Sequence, residues 1–430
     1  MKKRKWLKKI VILCVVIIAI ELIAMLIMKI MNERNIDHYD SLNDLIMVDD
    51  YYIGVGESDF DNSKFVSKKY YEHTDTITKD KQRILANQAK IVKYDKNMNV
   101  LWENTIDNKF DATFYSVIKV DDGFLAVGSF VDKYEQIDVN TRNAILVKYD
   151  LNGKLLWYKD YSVLSDTEFY KIIDDGNDNY VVIGQSIYEN LEMGTHITGG
   201  GIIVRYDKEG NVLAYNNYGG NKSGSFNDII KVDDGYIVCG KDAANYGIVI
   251  KFKKDFGRDE NDKKIISNKI IWNRTYSNTD EKGFTGMSLV DNTIYAIGAV
   301  NVSKDKDKND NPIYKYDAGI VLYNTNGKYL DKYSLGKDIH HRFNSFVVRD
   351  KEFILTGLYD VDNSSDSEHQ DSMVVKYNLF DNKFSTEEIK KDYAVSKIVN
   401  LNDKLLIIGN NHNNCGLLGC EYKSFMEEYK

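Results

Sequence analysis

Beyond about residue 40, apolar and polar residues alternate in short bursts, and the bursts are separated by Asp, Asn and Gly. An alternation of period two predicts half-buried β-strands, and no stretch after Met31 carries a long helical period. Seven of the bursts end in glycine: YYIGVG at Gly56, GFLAVG at Gly128, YVVIG at Gly184, GYIVCG at Gly240, IYAIG at Gly298, FILTG at Gly357 and LLIIG at Gly409. Each is preceded by a run such as FYSVIKV or FNDIIKV. Each is followed, after a variable gap, by a run such as AILVKYD or GIIVRYD, and then in most copies by one such as GKLLW or IIWNRTY. The four runs make one unit. The first two meet at Asp-Asp-Gly or Asp-Asn, and the last two at Asn152-Gly153, Glu209-Gly210 or Asn326-Gly327. Such pairs supply the positive φ of a tight hairpin.

Seven copies at spacings of 52 to 72 residues predict an all-β fold, a seven-bladed β-propeller of four-stranded blades. One unit cannot bury both of its faces alone, so the blades must stack around an axis. The C-terminal copy lacks a fourth run before the chain ends at Lys430, and a strand near Arg34–Tyr39 is expected to complete it. An open or stacked array of sheets is the competing arrangement.

The pattern changes before residue 32. Met1–Lys9 holds six basic residues, and Ile10–Met28 follows with Glu21 as its one charge. Nineteen residues of helix cover roughly 28 Å, about one hydrocarbon core. The stretch ends without small residues at a cleavage site, so an uncleaved transmembrane helix is expected. The expected divisions are a cytoplasmic basic tail at 1–9, a transmembrane anchor at 10–31 and an extracytoplasmic propeller at 32–430. This places the protein in the cell membrane as a single-pass chain with its bulk outside. The chain carries −8 and the tail contributes +6; Glu21 and Lys29 cancel, leaving −14 for the exported part. That charge argues against nucleic acid as a partner.

The strings YDLNGKLLW and YDKNMNVLW resemble the repeats of quinoprotein-like (PQQ-like) β-propellers, in which a tryptophan docks between blades. Trp102, Trp157 and Trp272 hold that position, whereas Ala214 and Asp331 replace it in other units. The resemblance covers the second half of several blades and implies the fold alone. Enzymatic members carry a cofactor site that often includes adjacent cysteines, and this chain has no adjacent pair, so no cofactor is expected. Scaffold members that hold partner proteins at membranes are the nearer analogy.

Function is expected on the face that carries the long, dissimilar connections between second and third strands, about Glu57–Gln88, Ser129–Asn143, Gln185–Gly199, Ala299–Asp317 and Leu358–Asp371. Tyr70, Tyr71, Tyr134, Tyr188 and Tyr314 are candidate anchors for a protein or envelope ligand, because tyrosine offers large contact area at low entropic cost. His73, His196, His369 and His412 fall in these connections, and His340 and His341 in one that joins blades. Their spacing matches no metal motif, and no metal is expected. Asp305–Tyr316 opens like a calcium loop but lacks its glycine and its closing glutamate. Cys415 and Cys420 face one another only if the chain turns at Gly416 or Gly419. The expected role is a binding scaffold. The alternative is an envelope hydrolase or lyase acting on glycan or peptide, with carboxylates and His340 or His341 at the axial opening.

Overall fold

The computed structural model describes residues 40–429, apart from 60–69, 75–80, 86, 107–109, 132–141, 162–165, 188, 191–194, 197–199, 219–223, 257–268, 307–311, 337–339, 361–370, 392, 402–403 and 417–418. Six antiparallel sheets have four strands in simple sequential order. Blade one comprises Asp40–Val48, Tyr51–Asp59, Asn87–Asp95 and Val100–Thr105; blade two, Phe110–Val120, Gly123–Val131, Asn143–Asp150 and Leu155–Tyr161. Blade three comprises Asp166–Gly176, Asn179–Ile187, Gly200–Tyr206 and Val212–Tyr218; blade four, Ser225–Val232, Gly235–Lys241, Gly247–Lys253 and Ile270–Tyr276. Blade five comprises Phe284–Val290, Thr293–Lys306, Pro312–Asn324 and Tyr329–Ser334; blade six, His340–Arg349, Glu352–Asp360, Asp371–Asn378 and Lys383–Lys390. Blade seven has three strands among the described residues, Tyr393–Leu401, Lys404–Gly416 and Gly419–Tyr429. The fourth strand expected near Arg34–Tyr39 and the expected anchor at 10–31 lie outside the described residues. Among those described, no helix is long and apolar enough to cross a membrane.

First strands of successive blades touch one another, and the first strand of blade seven touches that of blade one. The ring is therefore closed, and the first strands line its axis. Apolar side chains fill the gaps between sheets in seven clusters, each drawing on neighbouring blades. Second and third strands are buried on both faces. Residues Gly123–Val131, for example, are buried throughout.

The recurring glycine has a steric cause. In each blade the first strand carries a bulge, as between Phe114 and Ser116, and the glycine of the second strand lies opposite it. A Cβ at Gly128 would sit 1.8 Å from the Thr113 carbonyl oxygen, and six other blades repeat this crowding. The bulge turns one side chain of each inner strand toward the next blade. Asn43 Nδ2 donates to Phe114 O at 3.0 Å, Asn227 to Phe284 O at 2.8 Å, Thr285 Oγ1 to Phe343 O at 2.5 Å and Asn344 to Val395 O at 2.7 Å. Neighbouring inner strands are thus stapled at one level around the axis.

The outer rim is joined differently. Asp150 Oδ1 accepts from the N–H groups of Asn152 and Lys154 at 2.8 and 2.9 Å, and Gly153 takes φ 79°. Asp95, Asp207 and Asn324 organise the same turn. These segments, headed by Asp or Asn and carrying Met98, Gly153, Gly210 or Gly327 at the positive-φ position, are hairpin turns. The tryptophan of one blade packs against the turn glycine of the next: Trp102 against Gly153, Trp157 against Gly210 and Trp272 against Gly327. A Cβ on any of these glycines would come within 2.8 Å of the indole. Blade three offers Ala214 in place of tryptophan, opposite the connection that leaves the third strand of blade four at Lys253. Phe256, at the start of that connection, is buried against Tyr236 and Phe252.

Candidate functional site

Turns between first and second strands, and between third and fourth, lie on one face, here called the turn face. The opposite face carries the long connections, and much of what the sequence suggests as loop there is strand. The second and third strands of blade five run on as one antiparallel ribbon out to Lys306↔Pro312, which includes most of 299–317. Tyr70–Thr74 pairs with Lys81–Leu85 as a separate ribbon, Glu189–Asn190 pairs with Thr195–His196, and blade seven extends its ribbon to Gly416↔Gly419. The polar composition of these extensions hides them from a pattern reading, because neither side of a free-standing ribbon needs an apolar row.

The candidate residues distribute over this ribbon face. Tyr70, Tyr71 and His73 lie in the blade-one ribbon, His196 in that of blade three, Tyr314 in that of blade five and His412 in that of blade seven. Tyr134, Tyr188 and His369 lie outside the described residues. His340 and His341 are not in a connecting loop. They begin the inner strand of blade six, paired with Asp360 and Tyr359. His341 is buried, with its ring centroid 4.9 Å from that of Tyr359. Among the described residues, no three His, Cys, Asp or Glu side chains converge as a metal site requires.

Charged groups that the sequence does not single out gather at two levels of the axis. The deeper level is set by the residue just past each bulge: Asp44, Ser116, Lys171, Asp228, Gly286, Ser345 and Lys397 in blades one to seven. Asp44 pairs with Lys397 across the seam between blades one and seven, and accepts from Ser116 Oγ at 3.0 Å and Val117 N at 3.1 Å. Asp228 lies 3.9 Å from Lys171 and accepts from Met287 N at 3.0 Å. Ser345 Oγ accepts from Ile398 N at 3.2 Å. Each acceptor satisfies an N–H of the next inner strand that no sheet partner reaches. Burial pushes the Asp44 carboxyl upward, but Lys397, Lys171 and the hydrogen bonds outweigh it and hold the group below the usual range. Two carboxylates and two ammonium groups thus balance at the centre of the ring.

The second level is the mouth of the axis on the ribbon face, between blades one and three. Glu57, one residue past its bulge glycine, accepts from Thr113 Oγ1 at 2.5 Å and Asn87 Nδ2 at 3.3 Å. Glu168 faces Tyr115 OH at 3.4 Å and Arg142 Nε at 3.7 Å, and Arg142 also pairs with Asp111. Burial raises both glutamates above the ordinary carboxyl range, with Asp111 adding to it and Arg142 opposing it. A carboxyl whose folded pKa is raised costs stability once the pH climbs from its unfolded value through the folded one. Glu57→Gln is therefore expected to raise the melting temperature at pH 7 and to leave it unchanged at pH 4, read from paired thermal melts. An equal shift at both values would place Glu57 in an ordinary hydrated setting.

Across the axis, Arg342 binds Asp280 at 2.6 Å and Glu281 at 3.2 Å. Burial beside these acids pushes Tyr316 up to about 12. A cleft of about 410 Å³ opens at the root of the blade-five ribbon, lined by Asn301, Lys315, Tyr316, Asp317 and Ser334 among others. Asn301 Nδ2 reaches Ser334 Oγ at 3.2 Å there, and Asp317 accepts from Gly336 N at 3.0 Å.

No protein family matches the sequence, and no curated protein does. Solved structures with a similar overall arrangement exist. The Dos1 propeller is 12% identical over 87% of this chain and 92% of its own, with a TM-score of 0.44. The WD40 domain of Neurospora crassa Pan2 is 9% identical over 76% and 82%, at 0.44, and the computationally designed Ika8 protein is 9% identical over 92% and 99%, at 0.41. The assignment as a seven-bladed propeller rests on the strand pairing and ring closure described above.

Proposed function

We propose that this protein is a membrane-anchored extracytoplasmic scaffold, held by residues 10–31, whose ribbon face binds a protein or envelope ligand. The observation that carries the reading is the set of paired ribbons standing beyond the sheets on one face of a closed, rigid ring. A rigid base fixes the position of each ribbon, while the ribbons differ in length and sequence from blade to blade. That division suits recognition. The tryptophan–glycine contacts between blades agree with kinship to PQQ-like propellers, and the scaffold role fits their non-enzymatic members.

Deletion of residues 65–84 removes most of the blade-one ribbon and leaves the pairing of Tyr51–Asp59 with Asn87–Asp95 intact. The expected outcome is loss of a specific crosslinked partner from cell envelopes with a melting temperature within a few degrees of the parent. Unchanged capture by a folded deletion variant counts against the reading.

The hydrolase or lyase reading retains one favourable observation, the two raised carboxyls Glu57 and Glu168 beside Tyr115 at the mouth. It moves the expected chemistry away from His341, which is buried. Turnover of a glycan or peptide panel that Glu168→Gln abolishes would favour it over the scaffold.

A further inference from the structure

The turn face carries an apolar rim that the ring itself does not use. Leu101, Leu156, Leu213, Ile271 and Leu330 are each the second residue of a fourth strand, directly after the outer turn. All five are exposed, from 41% to 56%. Single exposed leucines are ordinary on protein surfaces. Here the same position is apolar and open in five consecutive blades, so the side chains stand at one level around the ring. Phe380, 92% exposed, and Leu151 extend the rim at the tips of the outer turns. Lys96, Lys154, Lys208 and Lys328 stand in the same outer turns, beside the turn-heading Asp95, Asp150 and Asp207 and the exposed Glu209 and Asp381.

Chain length connects this rim to the N-terminus. From the first residue of a fourth strand to the residue before the next bulge is fourteen residues at five junctions: Val100 to Phe114, Leu155 to Phe169, Val212 to Phe226, Ile270 to Phe284 and Tyr329 to Phe343. At the junction of blades six and seven it is twelve, Lys383 to Val395. The corresponding residue of blade one is Leu42. Fourteen residues before Leu42 is Met28, the last residue of the apolar stretch Ile10–Met28. The length of sequence between the end of the apolar stretch and Leu42 thus equals the interval that elsewhere separates the turn-face end of a fourth strand from the next bulge.

We propose that the turn face rests on the lipid bilayer that holds the chain's own anchor, with the apolar rim in the interfacial region and the ribbon face directed away. This rests on the anchored reading above. A flat apolar medium meets five side chains at one level at once, and a tether this short keeps the face at high effective concentration beside the membrane. Lysines in the outer turns suit the headgroup level, where their stems cover apolar surface while the ammonium groups stay hydrated.

The test uses the full chain in phosphatidylcholine vesicles, with benzoylphenylalanine placed at Leu156, at Leu330 or, on the ribbon face, at Ala244. Flotation after a carbonate wash reports whether the anchor is integrated. The expected result is integrated protein with lipid adducts at least about tenfold more abundant from positions 156 and 330 than from 244, by mass spectrometry. Integrated protein with equal, reversed or no adducts overturns the orientation and leaves the anchor standing. Protein that washes off overturns both. Parallel melts of the three variants confirm that the rim substitutions leave the ring folded.

Discussion

Lys397→Met is expected to destabilise the protein by about 3–5 kcal/mol, because it strips the partner from a carboxylate that has nowhere to go. The Asp44 side chain is 4% exposed and that of Lys397 is 24% exposed, so the carboxylate is the more costly one to abandon. Asp44 keeps its hydrogen bonds from Ser116 and Val117, which soften the loss without neutralising the charge. The double variant Asp44→Asn, Lys397→Met should recover most of the loss, since an amide can still accept from Val117 and no charge is left over. Urea denaturation of the parent, both single variants and the double variant gives the coupling directly. The pair spans the seam between the first and last blades, so the same series reports how firmly the ring is shut. Additive effects of about 1 kcal/mol or less would mean that the seam is held by apolar packing alone.

The second large effect is at the outer rim. Trp272→Ala should cost about 3–5 kcal/mol, as expected when a buried indole is deleted and its cavity remains. The ring of Trp272 covers Gly327, and its Nε1 donates to Thr325 O at 3.1 Å, so the substitution also leaves a turn carbonyl without its donor. Arg274, which stacks 5.8 Å from the indole and donates to Gly327 O, loses its platform in the same step. Thermal melts of Trp272→Ala and Trp272→Phe check this, with phenylalanine expected to restore part of the loss. A loss below about 1 kcal/mol for alanine would show that the blade-four to blade-five contact is carried elsewhere.

The fold was legible because its two most repetitive devices leave marks in sequence. The bulge demands glycine opposite it, which produced the seven periodic glycines. The outer turn demands Asp or Asn at its start and, in three blades, glycine under a tryptophan. Burial of second and third strands on both faces shows as unbroken apolar runs such as FLAVG and AILV.

The sites were less legible, for identifiable reasons. The axial charges follow a bulge, so Asp44, Lys171, Asp228 and Lys397 fall out of phase with the alternation of their own strands and read as ordinary solvent-facing positions. Their partners are supplied by other blades, and Asp44 and Lys397 are 353 residues apart. Glu57 and Glu168 begin and end segments that look like loop margins. The paired extension Ala299–Lys306 reads as loop because Asn, Ser, Lys and Asp fill it. The one signal available was the common offset of these charges from the repeated glycine or phenylalanine, which an alignment of the seven units would display.

The central claim is that the two faces of one closed ring have different work, with recognition on the ribbon side. Photo-crosslinking of the full chain in living cells, with the reactive group at Tyr71 or Tyr314, tests it most directly. The account predicts a discrete protein or envelope-polymer adduct from both positions, and the adduct from Tyr314 disappears when residues 65–84 are deleted. Adducts to lipid alone from both, or an adduct indifferent to the deletion, would contradict it.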